Sequence, residues 1–191
     1  MRAFEEKEKN ICACIAIYKL AVVGCAHGEL EKILEEVEKY EKNEKCEIDI
    51  IICCGDFQVM EKTNYARTNN NITQQAVRNG YDLSSLSCPR KYMKEGDFKK
   101  YYNGQKKMKR LMIVIGGNHE ASNHNMELYN GGWLAPNIYY LGKSGVIRFG
   151  GIRIGGISGI FKAYDFDMPM KETCPLQIKT KISVNHVRRF Q

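Results

Sequence analysis

Leu20-Ala21-Val22-Val23-Gly24-Cys25-Ala26-His27-Gly28 is the stretch that decides the fold. A short apolar run that ends in Gly reads as a buried strand, and the polar residues after it read as the loop it delivers. Glu29 to Lys42 follows with Leu30, Ile33, Leu34, Val37 and Tyr40 spaced three and four apart, the period of an amphipathic helix. Ile48–Cys54 is a second apolar run, again closed by a glycine, Gly55. Strand, helix and strand in that order predict a parallel pair covered by a helix, and so an α/β class.

Further along, Leu111–Ile115 predicts a third strand running into Gly116-Gly117. Tyr92 to Tyr102 reads as a short helix with aromatic anchors, and 59–79 as a polar, Asn-rich exposed loop. Ile138–Leu141, Val146–Phe149 and Ile152–Ile154 read as three short strands joined by Gly-containing turns, in the manner of a meander. Beyond Gly159 the pattern gives way to a charged loop.

With 191 residues the chain suits one domain with a substantial core. Apolar residues are 43% and charged residues 27%, an ordinary globular balance. It has no apolar run of membrane-spanning length. The residues before Ile11 mix both charge signs, so no secretory signal is expected. The eight cysteines are therefore read as reduced thiols; no Cys-x-x-Cys pair suggests a zinc finger. The net charge of +7, concentrated in Lys99–Lys100 and Lys106–Arg110, is a mild signal for a polyanionic partner or else an ordinary solvated face.

Three predicted strands end in Gly, and each ending carries ligand-type residues: Cys25 and His27, then Asp56, then Asn118 and His119. The C-terminal ends of parallel strands converge on one sheet edge, where sites are commonly built. Cys25 and His27, two apart, would share one side if the strand ran on. Singly, each has a bland reading: a buried thiol, a turn-forming Asp, a packed imidazole. Together, a thiolate, an imidazole, a carboxylate and an amide oxygen suit a transition-metal site.

The order C-x-H, G-D, G-N-H-E resembles the first half of the calcineurin-like metallophosphoesterase signature, with Cys25 where that signature has Asp. This Cys is similar to the form found in lariat debranching enzymes. Also similar are Gly55-Asp56-Phe57-Gln58, Gly116 through Asn123, Gly131-Gly132-Trp133-Leu134-Ala135-Pro136-Asn137-Ile138-Tyr139-Tyr140-Leu141-Gly142 and Arg153 through Lys162. The resemblance implies an α/β fold, a β-sandwich flanked by helices, with its C-terminal part missing. It implies residues 20–191 as an incomplete domain after a 1–19 extension, with a polar insertion at about 59–74 and a lariat-recognition loop at about 158–188. The implied activity is metal-dependent hydrolysis of the 2′–5′ phosphodiester at the branch of excised introns, in the nucleus, with branched RNA as partner; no membrane and no protein partner is implied.

Carried over residue by residue, Cys25 and His27 would ligate one divalent ion, Asp56 would bridge to a second, and Asn118 would ligate that second ion. His119 would be catalytic, stabilising the phosphorane charge or protonating the leaving 2′ oxygen. The thiolate biases the first site toward Zn2+ or Fe2+ over Mg2+, with Mn2+ a further candidate. Lys162, Tyr164, Lys171, His186 and Arg188 are the RNA-binding candidates. The family pattern also needs later histidine ligands. After Asn118 this chain offers only His119, His124 and His186, so metal binding and cleavage are expected to be impaired. The alternatives are a generic metallophosphoesterase and a non-catalytic remnant that binds branched RNA.

Overall fold

Why the first apolar runs become a parallel sheet is visible in how their side chains alternate. The structure, a computed structural model, describes residues 17–57, 87–88, 96–174, 176–177 and 179–189. Strands β1 (Leu20–Val23), β2 (Ile50–Cys53) and β3 (Leu111–Val114) pair in parallel, with Leu20 opposite Ile50 and Ile50 opposite Leu111. Ile51, Cys53, Met112 and Val114 point to one face, where they meet Leu30 and Val37 of helix α1 (Leu30–Glu44). Phe98 and Tyr101 of helix α2 (Phe98–Tyr102) complete that layer. Ile50 and Ile113 point to the opposite face. A strand covered on both sides needs continuous apolar sequence, which is what Ile50–Cys53 and Leu111–Val114 provide. Each such isoleucine withdrawn from water contributes roughly 1.5–3 kcal/mol.

The next segment departs from the expected meander. Strand β4 (Gly132–Ala135) was not foreseen as a strand, and β5 (Ile138–Tyr140) joins the first sheet rather than the later strands. β5 pairs parallel with β3 and antiparallel with β4, giving the order β1-β2-β3-β5-β4. The cause is burial: Ile138 and Tyr140 are almost fully enclosed beside Met112 and Val114. Separate from the first sheet, β6 (Ser144–Phe149) and β7 (Ile152–Ile157) pair with each other as an antiparallel hairpin. Its Ile147, Phe149 and Ile154 close over Ile50, Ile113 and Leu141, so helices, sheet and second sheet form three layers. Gly142 turns the chain between the sheets at φ 88°, and an added Cβ there would lie 2.6 Å from both Gly131 N and Tyr129 O.

After β7 the segment read as a charged loop holds two single-turn helices, α4 (Ala163–Phe166) and α5 (Thr180–Ser183). Helix α3 (Ser122–Glu127) follows the Asn118–His119 loop. β1 is an edge strand, and Val22 on it is 69% exposed. Among the described residues no helix is long and apolar enough to cross a membrane. The expected insertion at about 59–74, residues 1–16 and the 92–95 start of the expected short helix lie outside the described residues.

The basic stretches have a structural assignment. Lys106 and Lys100 pair with Glu31 of α1 at 2.7 and 3.3 Å, Lys109 pairs with Glu38 at 3.2 Å, and Arg110 pairs with Glu41. One acidic face of α1 thus neutralises much of the charge that pointed to a polyanionic partner.

Candidate metal centre

The centre is built where β1, β2 and β3 end. After β2, Gly55 takes φ 132° and Asp56 takes φ 43°, a left-handed conformation that L side chains seldom adopt. His27, after β1, is also left-handed at φ 47°. Two non-glycine residues held this way in one cluster mark stored strain, which collects at functional sites. Backbone bonds knit the two turns: His27 N–H donates to Asp56 O at 2.7 Å, and Ala26 N–H donates to Gly55 O at 3.2 Å. Cys25 and His27 therefore converge through a turn, because the strand stops at Val23 and alternation along it is not the cause.

The third loop closes on the same point. The His119 backbone N–H donates to Asp56 Oδ1 at 2.9 Å. Gly117 has to be glycine, since an added Cβ would sit 2.1 Å from Asp56 Oδ1. Glu120, buried beneath, accepts from Phe57 N–H at 2.9 Å and Gly117 N–H at 2.8 Å with one carboxylate oxygen. That carboxylate clamps the Asp56 turn to the Asn118–His119 loop. Glu120 carried no role in the sequence reading; its place directly after Asn118-His119 was the available signal, and its partners become visible only in the fold.

The resulting donor set is compact. One ligand atom each from Cys25, His27 and Asp56 lies within 4.8 Å of the others, the spacing at which a single cation can be shared. Cys25 and His27 are exposed and Asp56 is buried, so the cluster opens to solvent on one side. His27 Nε2 is 3.8 Å and His119 Nδ1 3.5 Å from Asp56 Oδ2, and the two imidazoles lie 5.8 Å apart between centroids. Asn118 is half-buried next to His119, and its backbone carbonyl accepts a hydrogen bond from Ser87 Oγ. Partial burial and the neighbouring Asp56 charge push the Cys25 thiol above its usual range, so a cation would have to displace a proton there. Soft sulfur, imidazole nitrogen and carboxylate oxygen together suit a borderline transition metal better than Mg2+.

The remaining histidines are elsewhere. His124 is buried, burial lowers its pKa, and neither ring nitrogen has a hydrogen-bond partner among the described residues. His186 is 3% exposed and its Nδ1 lies 2.5 Å from Asp165 Oδ2. That contact chiefly holds the Asp165 carboxyl below its usual range.

The five RNA-binding candidates divide. Tyr164 and Lys171 are exposed and Lys162 is half-buried. His186 and Arg188 are enclosed, and Arg188 spans Asp165 at 3.1 Å and Glu172 at 2.9 Å. Enclosed and bonded to carboxylates of their own segment, these two side chains hold the 158–188 segment together. Tyr164 packs edge-on against His186 at 5.8 Å.

The family model for calcineurin-like phosphoesterases matches residues 18–187. The chain belongs to the calcineurin-like phosphoesterase family. Members of this family use divalent metals, and in this calcineurin-like phosphoesterase chain Cys25, His27 and Asp56 form a group whose ligand atoms are close enough together to hold one. Among curated proteins it is 49% identical over 172 residues to a lariat debranching enzyme of Danio rerio, a match covering 90% of this chain and 27% of the relative. It is 46% identical over 173 residues to the lariat debranching enzyme of Homo sapiens, covering 91% and 29%. For the Arabidopsis thaliana protein of that name it is 43% over 172 residues, covering 90% and 37%. The chain thus spans about a quarter to somewhat over a third of the length of these relatives.

Proposed function

We propose that this chain carries part of the site of an RNA lariat-debranching phosphodiesterase, acting on the 2′–5′ bond at an intron branch point. The observation that supports it is Cys25 as donor beside His27 and Asp56, in a chain similar to lariat debranching enzymes over nine-tenths of its length. Cys25, His27 and Asp56 would hold one divalent ion; Asp56 and Asn118 would share a second. Zn2+, Fe2+ and Mn2+ suit the donors. Divalent cations supply such a site with charge neutralisation of the phosphate and a hydroxide-level nucleophile near neutral pH.

The chain's own residues have separate tasks. Glu120 holds the Asp56 and Asn118 turns in register. His119, fixed by its backbone bond to Asp56, would donate a proton to the leaving 2′ oxygen or offset the phosphorane charge. Tyr164, Lys162 and Lys171 would meet the branched RNA by stacking and backbone contacts. Among the described residues His124 and His186 lie outside the donor cluster, which leaves Cys25, His27, Asp56 and Asn118 as the side-chain ligands, and slow cleavage is expected. A nuclear location goes with intron turnover.

The test offers the chain a 2′–5′-branched RNA and a linear RNA of equal length, with Mn2+ and with chelator. The expected result is preference for the branched RNA and slow, metal-dependent cleavage at the branch, lost in Cys25→Ala and His119→Ala. Cleavage of simple phosphoesters with no preference for the branch would favour a generic phosphoesterase. Branched-RNA binding that persists in chelator without cleavage would favour a non-catalytic RNA-binding role.

A further inference from the structure

The loop after β7 and the loop that carries Asn118 are joined by a buried hydrogen-bond chain. Asn185, 6% exposed, follows α5 within the 158–188 segment. Its side-chain amide donates to Ser87 Oγ at 3.1 Å and to Ser122 Oγ at 2.9 Å, and its Nδ2 lies 3.1 Å from Lys181 O. The two N–H groups go to the serines, because Ser122 Oγ spends its own hydrogen on Lys181 O at 2.8 Å and so accepts from the amide. Ser87 Oγ then donates to the backbone carbonyl of Asn118, and Ser87 N–H donates to Glu120 O at 3.0 Å. Ser87 sits 31 residues from Asn118 and 98 from Asn185 in sequence, so only the fold creates this chain. A second tie runs parallel to it: Gly116 N–H donates to Ser158 Oγ at 2.9 Å, and Gly159 N–H donates to Gly116 O at 2.7 Å.

We propose that Asn185 and Ser87 are positioning residues that fix the Asn118 peptide, and that through them the 158–188 segment sets the geometry of the second metal ligand. This rests on the reading of Asn118 as that ligand. Neither residue reaches the donor cluster; both act on the peptide that bears the ligand. Groups hydrogen-bonded behind metal ligands typically carry 10–100-fold in metal affinity. The chain is in series, Asn185 to Ser87 to Asn118, so breaking either bond should have the same consequence, and breaking both should add little.

Two readouts on the intact chain test this. In the metal-free protein, amide hydrogen exchange at His119, whose N–H is bonded to Asp56, should quicken about tenfold in Asn185→Ala and Ser87→Ala. Exchange at Met112 and Ile113 in the sheet should stay unchanged. Ser87→Thr, which keeps the hydroxyl, should behave as wild type. In Mn2+ titrations followed by the free-ion EPR signal, both alanine variants should lose tenfold or more in affinity for the second ion but retain the first. Unchanged His119 exchange, acceleration no greater than at the sheet amides, or Ser87→Thr matching Ser87→Ala would overturn the relay. A wild-type chain that takes up one ion or none counts against the two-ion reading instead, and the exchange arm then decides the relay alone.

Discussion

Replacing Glu120 tests whether one buried carboxylate holds the centre's loops together. Its Oε1 accepts from two backbone N–H groups, Phe57 at 2.9 Å and Gly117 at 2.8 Å, and the residue is 1% exposed. Hydrogen bonds to a charged group contribute about 1.5–3 kcal/mol each, and a buried donor left without a partner carries the desolvation penalty. Glu120→Ala should therefore lose roughly 3–5 kcal/mol, because both N–H groups are stranded by one substitution. Glu120→Gln keeps an acceptor oxygen for both donors at about half the strength, and should lose roughly 1–2 kcal/mol. Urea unfolding at pH 7, followed by far-ultraviolet circular dichroism, would read these as a lowered midpoint at unchanged slope. For a chain of this size the alanine variant should melt roughly 6–20 °C lower. A Glu120→Ala variant within about 1 kcal/mol of wild type, or a Glu120→Gln variant as damaging as alanine, would refute the clamp.

Four further outcomes are expected. Burial and the nearby Arg188 push Lys143 down from 10.5 to about 8, which amounts to roughly 3 kcal/mol. Between about pH 8 and pH 10 the unfolded chain holds this proton longer than the folded one, so Lys143 adds stability as pH rises there. Cys53, raised from 9.0 to about 12 by burial, opposes it from about pH 9, and Tyr101 and Tyr140, also raised to about 12, steepen the fall from about pH 10, since the unfolded groups ionise first. Lys143→Met should raise stability at pH 7 by roughly 2 kcal/mol and make stability fall more steeply between about pH 8 and pH 10 than in wild type; denaturant midpoints measured across that range check both. His27→Gly should unfold within about 1 kcal/mol of wild type, because relief of the left-handed backbone offsets the ordering of glycine, yet its metal uptake by equilibrium dialysis should fall sharply. Arg188→Ala should destabilise the chain by roughly 1–3 kcal/mol, since Asp165 keeps His186 and Glu172 keeps Ser183 as partners. Tyr164→Ala, by contrast, should leave stability unchanged and weaken branched-RNA binding by roughly 1–3 kcal/mol in fluorescence anisotropy.

Local pattern carried the first half of the fold. Leu20–Val23, Ile50–Cys53 and Leu111–Val114 are unbroken apolar runs closed by glycine, and α1 keeps its apolar spacing through four turns, so strands, helix and the sheet edge bearing Cys25, Asp56 and His119 could be read directly. β4 was not legible because Trp133, 60% exposed on an edge strand, breaks the pattern that burial would impose. The partner of β5 depended on a contact with β3 that no neighbouring residue announces. Charge misled for the same reason. Lys106, Lys109 and Arg110 resemble a polyanion surface until Glu31, Glu38 and Glu41 are placed beside them from about 70 residues away. His186 and Arg188 resemble RNA contacts until Asp165 and Glu172 enclose them. At the centre the residue types were legible, but the left-handed turns at His27 and Asp56 and the Glu120 clamp were not, because each depends on bonds between loops far apart in sequence.

A Cys25 thiolate donor in the metal centre is directly measurable by X-ray absorption at the zinc edge. The chain loaded with one equivalent of Zn2+ should show one sulfur scatterer at about 2.3 Å and nitrogen or oxygen scatterers at about 2.0–2.2 Å. The sulfur shell should vanish in Cys25→Ala and persist in Cys53→Ala. A wild-type spectrum of oxygen and nitrogen alone, or a sulfur shell that survives loss of Cys25, would contradict that donor.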